Sequence, residues 1–79
     1  MEEKFIKDFK EILEMENDEI QLSDRFREYE KWDSLAYLSL IAMIDEDYDI
    51  QIEGNEFKKL NTIQDLIDAI KKRTINGNN

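Results

Sequence analysis

Cysteine, histidine and proline are absent from this 79-residue chain, glycine occurs only twice and tryptophan once. Without cysteine there is no disulfide framework, and without cysteine or histidine there is no zinc-type ligand set; no metal site is expected. The same two absences remove the usual general base and the thiol nucleophile, so a hydrolase or transferase of ordinary design is hard to build. A carboxylate pair would still need a cleft, and so small a chain has little room for one. The chain reads as a non-enzyme. No apolar run is long enough to span a membrane, and Met1-Glu2-Glu3-Lys4 lacks the positive-then-apolar pattern of a secretion signal. The expectation is a cytoplasmic, monomeric protein of one domain, residues 1–73, with a flexible tail, residues 74–79.

What is present in excess is negative charge, and it is segregated. Between Ile12 and Glu56 there are 14 acidic and 3 basic residues, a net −11 within a chain whose total is −9. Nucleic-acid backbones and anionic membrane surfaces would be repelled by such a middle; proteins with basic patches would be drawn to it.

Apolar residues at Phe5, Ile6, Phe9, Ile12 and Leu13 recur at helical spacing and predict a helix from Glu2 to Met15. A long connection, Glu16 to Asp33, follows, with Ile20, Leu22, Phe26 and Tyr29 as the side chains able to pin it. A second helix is predicted from Ser34 to Tyr48, its core stripe formed by Tyr37, Leu40, Ile41, Ile44 and Tyr48. Leu35, Leu38 and Ala42 lie off that stripe among Asp45 and Glu46, a small apolar patch rimmed by carboxylates of the kind that docks reversibly on protein. After a loop, Asp49 to Asn55, a short turn runs from Glu56 to Leu60 with Phe57 and Leu60 facing in. Thr62 with Asp65 three positions on reads as the capping box of a last helix carrying Ile63, Leu66, Ile67 and Ile70. Ile50-Gln51-Ile52 alternates but is too short to build a sheet. The fold class is all-α, a small bundle of three main helices plus one short helix.

Asp33-Ser34 sits at the start of the second helix, where a side-chain oxygen ordinarily serves as a cap. A hydroxyl there has a second use. Backbone N–H groups and the positive end of the helix dipole favour negative charge, so a phosphodiester on Ser34 would sit in a compatible field. No base adjoins Ser34, which casts it as the acceptor of chemistry done by another enzyme. Asp33-Ser34-Leu35, opening the second helix of a small acidic helical chain after a long loop, resembles the acyl carrier protein family over about Phe5 to Ile70. The resemblance implies that Ser34, flanked by Asp33 and Leu35, is esterified with 4'-phosphopantetheine from coenzyme A, whose thiol carries acyl or aminoacyl groups as thioesters. It also implies the partners: a phosphopantetheinyl transferase, a loading ligase, and synthases or acyltransferases docking on Leu35, Leu38, Ala42, Asp45 and Glu46. Leu60-Asn61-Thr62-Ile63-Gln64-Asp65-Leu66 is similar to the family's entry into its last helix. Trp32 replaces the family's frequent Gly, and Ala36 and Ser39 replace common acidic residues. These departures point toward stand-alone carriers of specialised pathways, or carrier domains of peptide and polyketide assembly lines, rather than primary fatty acid synthesis.

Two other readings compete. Asp45, Asp47 and Asp49 with Glu56 imitate an EF-hand calcium loop, but the sixth position is Ile50 where a sharp turn needs Gly, and Tyr48 on the core stripe argues that Asp45 and Asp47 are helical. The other is an acidic interaction module in which Ser34 is only a cap.

Overall fold

The structure, a computed structural model, describes residues 1–77, with side-chain surroundings through Thr74. Its elements are α1 (Glu2–Ile12), a 3-10 turn (Phe26–Glu28), α2 (Ser34–Tyr48), α3 (Gly54–Phe57) and α4 (Ile63–Gly77). Among the described residues there is no strand, only an isolated antiparallel bridge between Arg25 and Thr62. This is the expected bundle of three main helices and one short one.

α1 stops three residues before the predicted end. Glu14 adopts a left-handed conformation (φ 56°), its N–H bonding to Glu11 O at 3.1 Å and the next N–H, of Met15, reaching Lys10 O at 2.8 Å. This closes the helix as a glycine usually would and turns Met15 back onto the core, where it is buried. α2 has its predicted bounds. Leu40 and Ile44 are buried, whereas Tyr37, Ile41 and Tyr48 are half-buried at the margin of the stripe, and Ala36, which replaces a common acidic residue of the family, joins the core. α3 begins two residues earlier than the predicted turn, although Phe57 is buried and Leu60 half-buried as expected.

The core is one cluster in which Phe5, Phe9, Phe26, Leu40, Ile44, Ile63, Leu66, Ile67 and Ile70 are fully buried. Ile50 and Ile52 add to it from the loop between α2 and α3, which alternates as a strand would yet serves as a strap over the core. Phe26 pins the long connection, with Ile20, Leu22 and Tyr29 packed alongside. Asp24 is held by the N–H of Gln21 (2.9 Å) and the Tyr29 hydroxyl (2.8 Å), bonds that keep its carboxyl below the ordinary carboxylate range.

The connection also completes α4. A helix start leaves four N–H groups without intrahelical partners, and here all four are accounted for: Thr62 donates to the Asp65 carboxylate, Ile63 to Asp24 O, Gln64 to Leu22 O and Asp65 to the Thr62 hydroxyl (3.1 Å). Asp65 answers by accepting from the N–H groups of Asn61 (2.9 Å) and Thr62 (3.1 Å). The predicted capping box is therefore formed, and α4 is bolted to the loop that presents α2. Of the expected tail, residues 74–77 continue α4, with the Thr74 hydroxyl donating to Ile70 O at 2.8 Å; residues 78–79 lie outside the described residues. The helix thus runs past Lys71, Lys72 and Arg73, a basic group that would suit the negative end of a helix dipole. Lys71 instead pairs with Glu2 of α1, and Arg73 with Glu56 of α3.

The two backbone donors hold Asp65's carboxyl below its ordinary value of 3.8. A carboxylate whose folded pKa is depressed stabilises above its unfolded pKa, and that contribution drains away as pH falls through the folded one. Asp65→Ala is therefore expected to cost about 1 kcal/mol at neutral pH, with the gap to wild type closing below about pH 3.8. Thermal melts of both proteins across pH 2–7 check this, since taking the difference cancels the chain's overall acid response. A gap constant with pH would count against the ionic capping box.

Candidate functional site

The start of α2 is built by Asp33. Its backbone is extended (φ −152°, ψ −175°), its carbonyl accepts from Tyr37 N at 3.0 Å and its carboxylate accepts from Ala36 N at 2.7 Å. Capping is thus done by Asp33, and Ser34 is the first helical residue. Its side chain is exposed and, among the described residues, takes part in no hydrogen bond. In the first turn the N–H groups of Ser34 and Leu35 lack intrahelical acceptors by geometry, so the hydroxyl stands at the positive end of a fifteen-residue helix.

Beneath this point the long connection is held rigidly. Phe26 lies 5.0 Å from Trp32 edge-on and 5.6 Å from Phe57, Trp32 stacks on Phe57 with their planes 9° apart at 6.3 Å, and Tyr37 meets Phe57 edge-on at 4.9 Å. Such ring pairs add to burial and fix relative orientation. Arg27 locks the arrangement from outside, donating to Phe57 O at 2.8 Å and to Leu60 O, with its guanidinium carbon 4.8 Å and 5.0 Å from the ring centres of Phe26 and Phe57. The residue before Asp33 is therefore an aromatic bolt joining the loop to α3. An open recess of about 450 Å³ lies beside Ser34, lined also by Trp32, Tyr37, Phe57, Gly54, Arg27 and Lys58. Arg27, Gly54 and Lys58 carry no sequence signal for this place: they are distant in the chain and only folding brings them to Ser34.

The predicted docking residues have a shared face. At 3.6 residues per turn Leu35, Leu38, Ala42, Asp45 and Glu46 fall within an arc of about 100°. Leu35 is 71% and Leu38 61% exposed, large values for leucine in so small a bundle; Ala42 and Glu46 are exposed and Asp45 half-exposed. Lys4 of α1 bridges Asp8 (2.7 Å) and Asp47 (3.0 Å), so Asp47 is occupied in joining α1 to α2. Asp45 and Asp47 lie inside α2, and Asp49 ends it in a left-handed conformation (φ 56°) with its N–H on Asp45 O. The acidic run is helix and helix end, not the continuous loop an EF-hand needs.

A family model described as "Phosphopantetheine attachment site" matches residues 3–70. Among curated proteins, the chain is 36% identical over 63 residues to the acyl carrier protein of Borrelia garinii subsp. bavariensis, covering 80% of this chain and 79% of that one. It is 33% identical over 75 residues to the acyl carrier protein of Buchnera aphidicola subsp. Acyrthosiphon pisum, covering 95% and 94%. No solved structure matches the chain at comparable significance.

Proposed function

The chain belongs to the acyl carrier protein family, and from that premise we propose that Ser34 is where its covalent 4'-phosphopantetheine is attached, so that acyl or aminoacyl groups pass between partner enzymes. A member of this family is a carrier and not a catalyst, and 4'-phosphopantetheine is its cofactor. When bound, that group supplies the thiol this cysteine-free chain lacks, as the point of thioester attachment.

The observation that carries the assignment is the division of labour at the start of α2: Asp33 caps, and Ser34 Oγ is left exposed. The residues fit the group. A phosphodiester at Ser34 would face the first-turn N–H groups of α2 and the open recess lined by Arg27 and Lys58. The ester forms between Ser34 Oγ and the phosphorus of coenzyme A's pyrophosphate that bears pantetheine. The pyrophosphate bond breaks, adenosine 3',5'-bisphosphate leaves, and the hydroxyl proton passes to a base of the transferase, since no histidine in this chain could take it. Residues 1–73 act as the carrier unit, in the cytoplasm; among the described residues no helix is long and apolar enough to cross a membrane. The plain interaction module loses its ground, because its premise was that Ser34 is the cap. Intact mass after incubation with coenzyme A and a broad-specificity phosphopantetheinyl transferase tests the reading. One added phosphopantetheine is expected, and an unchanged mass would overturn it.

Partners are the transferase, a loading ligase, and synthases or acyltransferases whose basic patches meet the α2 face. Trp32 and Ser39 favour a specialised pathway. Because steering by opposite charge raises association rates about tenfold or more at low salt and is screened as salt rises, the double change Asp45→Lys and Glu46→Lys should slow modification about tenfold. Its helical circular dichroism should be unaltered, and the difference should shrink in high salt. Equal rates at low salt would contradict docking through this face.

A further inference from the structure

Two recesses adjoin the start of α2, and neither leads into the core. At the first, beside Ser34, the rings of Trp32, Phe26, Phe57 and Tyr37 stand in contact with centroids 4.9 to 6.3 Å apart. Rings so close touch one another, and no channel is left between them for a chain of methylenes. Arg27 ties α3 to the long connection through the carbonyls of Phe57 and Leu60, so parting the rings would cost those bonds as well as the ring contacts. The second recess, lined by Leu35 and Ala36, also has Glu14, Glu30, Lys31 and Asp33 in its walls, charged groups whose desolvation opposes seating a hydrocarbon there. Behind the rings, Leu40, Ile44 and Ile63 are fully buried in one cluster with Phe26 and Phe57.

Resting on the assignment of Ser34, we propose that Trp32, Phe57 and Phe26 form a plug that sets the class of cargo: acyl groups stay outside the bundle, and the carrier serves short or polar ones, aminoacyl groups included, rather than long hydrocarbon chains. Each methylene left in water forfeits the free energy that burial would return. A long chain standing beside the exposed Leu35 and Leu38 would also enlarge an apolar patch, and large patches drive association. An aminoacyl or short hydroxyacyl group has little apolar area to shelter and loses almost nothing by remaining in solvent. The plug thereby leaves the stability of the bundle independent of what is loaded.

The test compares the full chain carrying an acetyl group with the full chain carrying an octanoyl group. Each is transferred with its phosphopantetheine from the acyl-coenzyme A by the broad-specificity transferase and mapped to its residue by peptide mass. A chain taken into the core would stabilise the folded state, and in a domain of this size the burial of only two methylenes raises the melting temperature by about 5 °C or more. The two forms are expected to melt within about 2 °C of each other. The octanoyl form should also be retained longer on a hydrophobic-interaction column, because its chain is exposed. Phe57→Ala removes the centre of the plug and should reverse both results, its octanoyl form melting about 5 °C or more above its acetyl form and eluting with it. Trp32→Ala, which truncates a half-buried ring, repeats the comparison at a smaller cost in folding. In the wild type, a label at Ser34 with the octanoyl form melting about 5 °C or more above the acetyl form, or eluting with it, overturns the plug and leaves the attachment reading standing. Equal melting of the two forms in both truncated variants overturns the plug as well. A label absent from Ser34 overturns both readings.

Discussion

Ser34→Ala is expected to melt within a few tenths of a kcal/mol of the wild type in stability and to gain no mass at all from coenzyme A and a competent transferase. The two halves of this result follow from one geometry. Ala36 N is satisfied by the Asp33 carboxylate, and the Ser34 side chain is exposed, so deleting its hydroxyl leaves no backbone group orphaned. Alanine is also at least as good a helix former as serine. Asp33→Ala is the counterpart: it removes the cap and is expected to cost about 1 kcal/mol, with Ser34 chemically intact. If Ser34 were the cap, the stability effects would be exchanged. Calorimetry and intact mass on the two variants therefore separate a structural serine from an acceptor serine, and a mass gain persisting in Ser34→Ala would move the attachment elsewhere.

The largest effect on stability is expected from Phe26→Ala. Phe26 is fully buried, in ring contact with Trp32 and Phe57, and it is the one large, fully buried side chain that the long connection supplies to the core. Truncation removes its transfer free energy and leaves a cavity, together about 3 to 5 kcal/mol. A domain below about 80 residues rarely has more than about 3 to 5 kcal/mol in hand. Most of the population should unfold near room temperature, or lose α3 and the Trp32 stack first. Chemical denaturation and near-ultraviolet circular dichroism would follow this, with Phe26→Leu as a milder control that retains much of the buried volume. A melting temperature unmoved by Phe26→Ala would mean that the connection does not depend on this pin.

This dependence ties stability to function. Asp33 is placed for capping by a loop whose position depends on Phe26, on Arg27's bonds to the carbonyls of Phe57 and Leu60, and on the Leu22 and Asp24 carbonyls that receive the first N–H groups of α4. The exposed hydroxyl is the end product of that framework.

Some of this was legible residue by residue. The start of α2 and the box at Thr62 and Asp65 were readable because a cap is a contact between residues three apart, and the inward stripes because a helix repeats its faces every few residues. The end of α1 was not, since Glu14 takes a left-handed conformation that its residue type does not advertise. Nor was the continuation of α4 through Gly77, because Lys71 and Arg73, residues of a kind that suits a helix end, are spent instead on pairs with Glu2 and Glu56. The place of Ala36 in the core was not read either: it was noted only as replacing a common acidic residue, whereas its angle around α2 faces it inward.

Charge, helix order, the candidate serine and the exposed Leu35–Leu38 face were thus written in short-range pattern, which acts within about one or two turns and needs no knowledge of the rest of the chain. Which oxygen at Asp33-Ser34 does the capping, that Ile50 and Ile52 close over the core, and that Arg27, Gly54 and Lys58 meet beside Ser34 were decided by folding alone. Those outcomes depend on contacts between distant segments, and such contacts form only when the burial of the whole core offsets the entropy of ordering the loops between them.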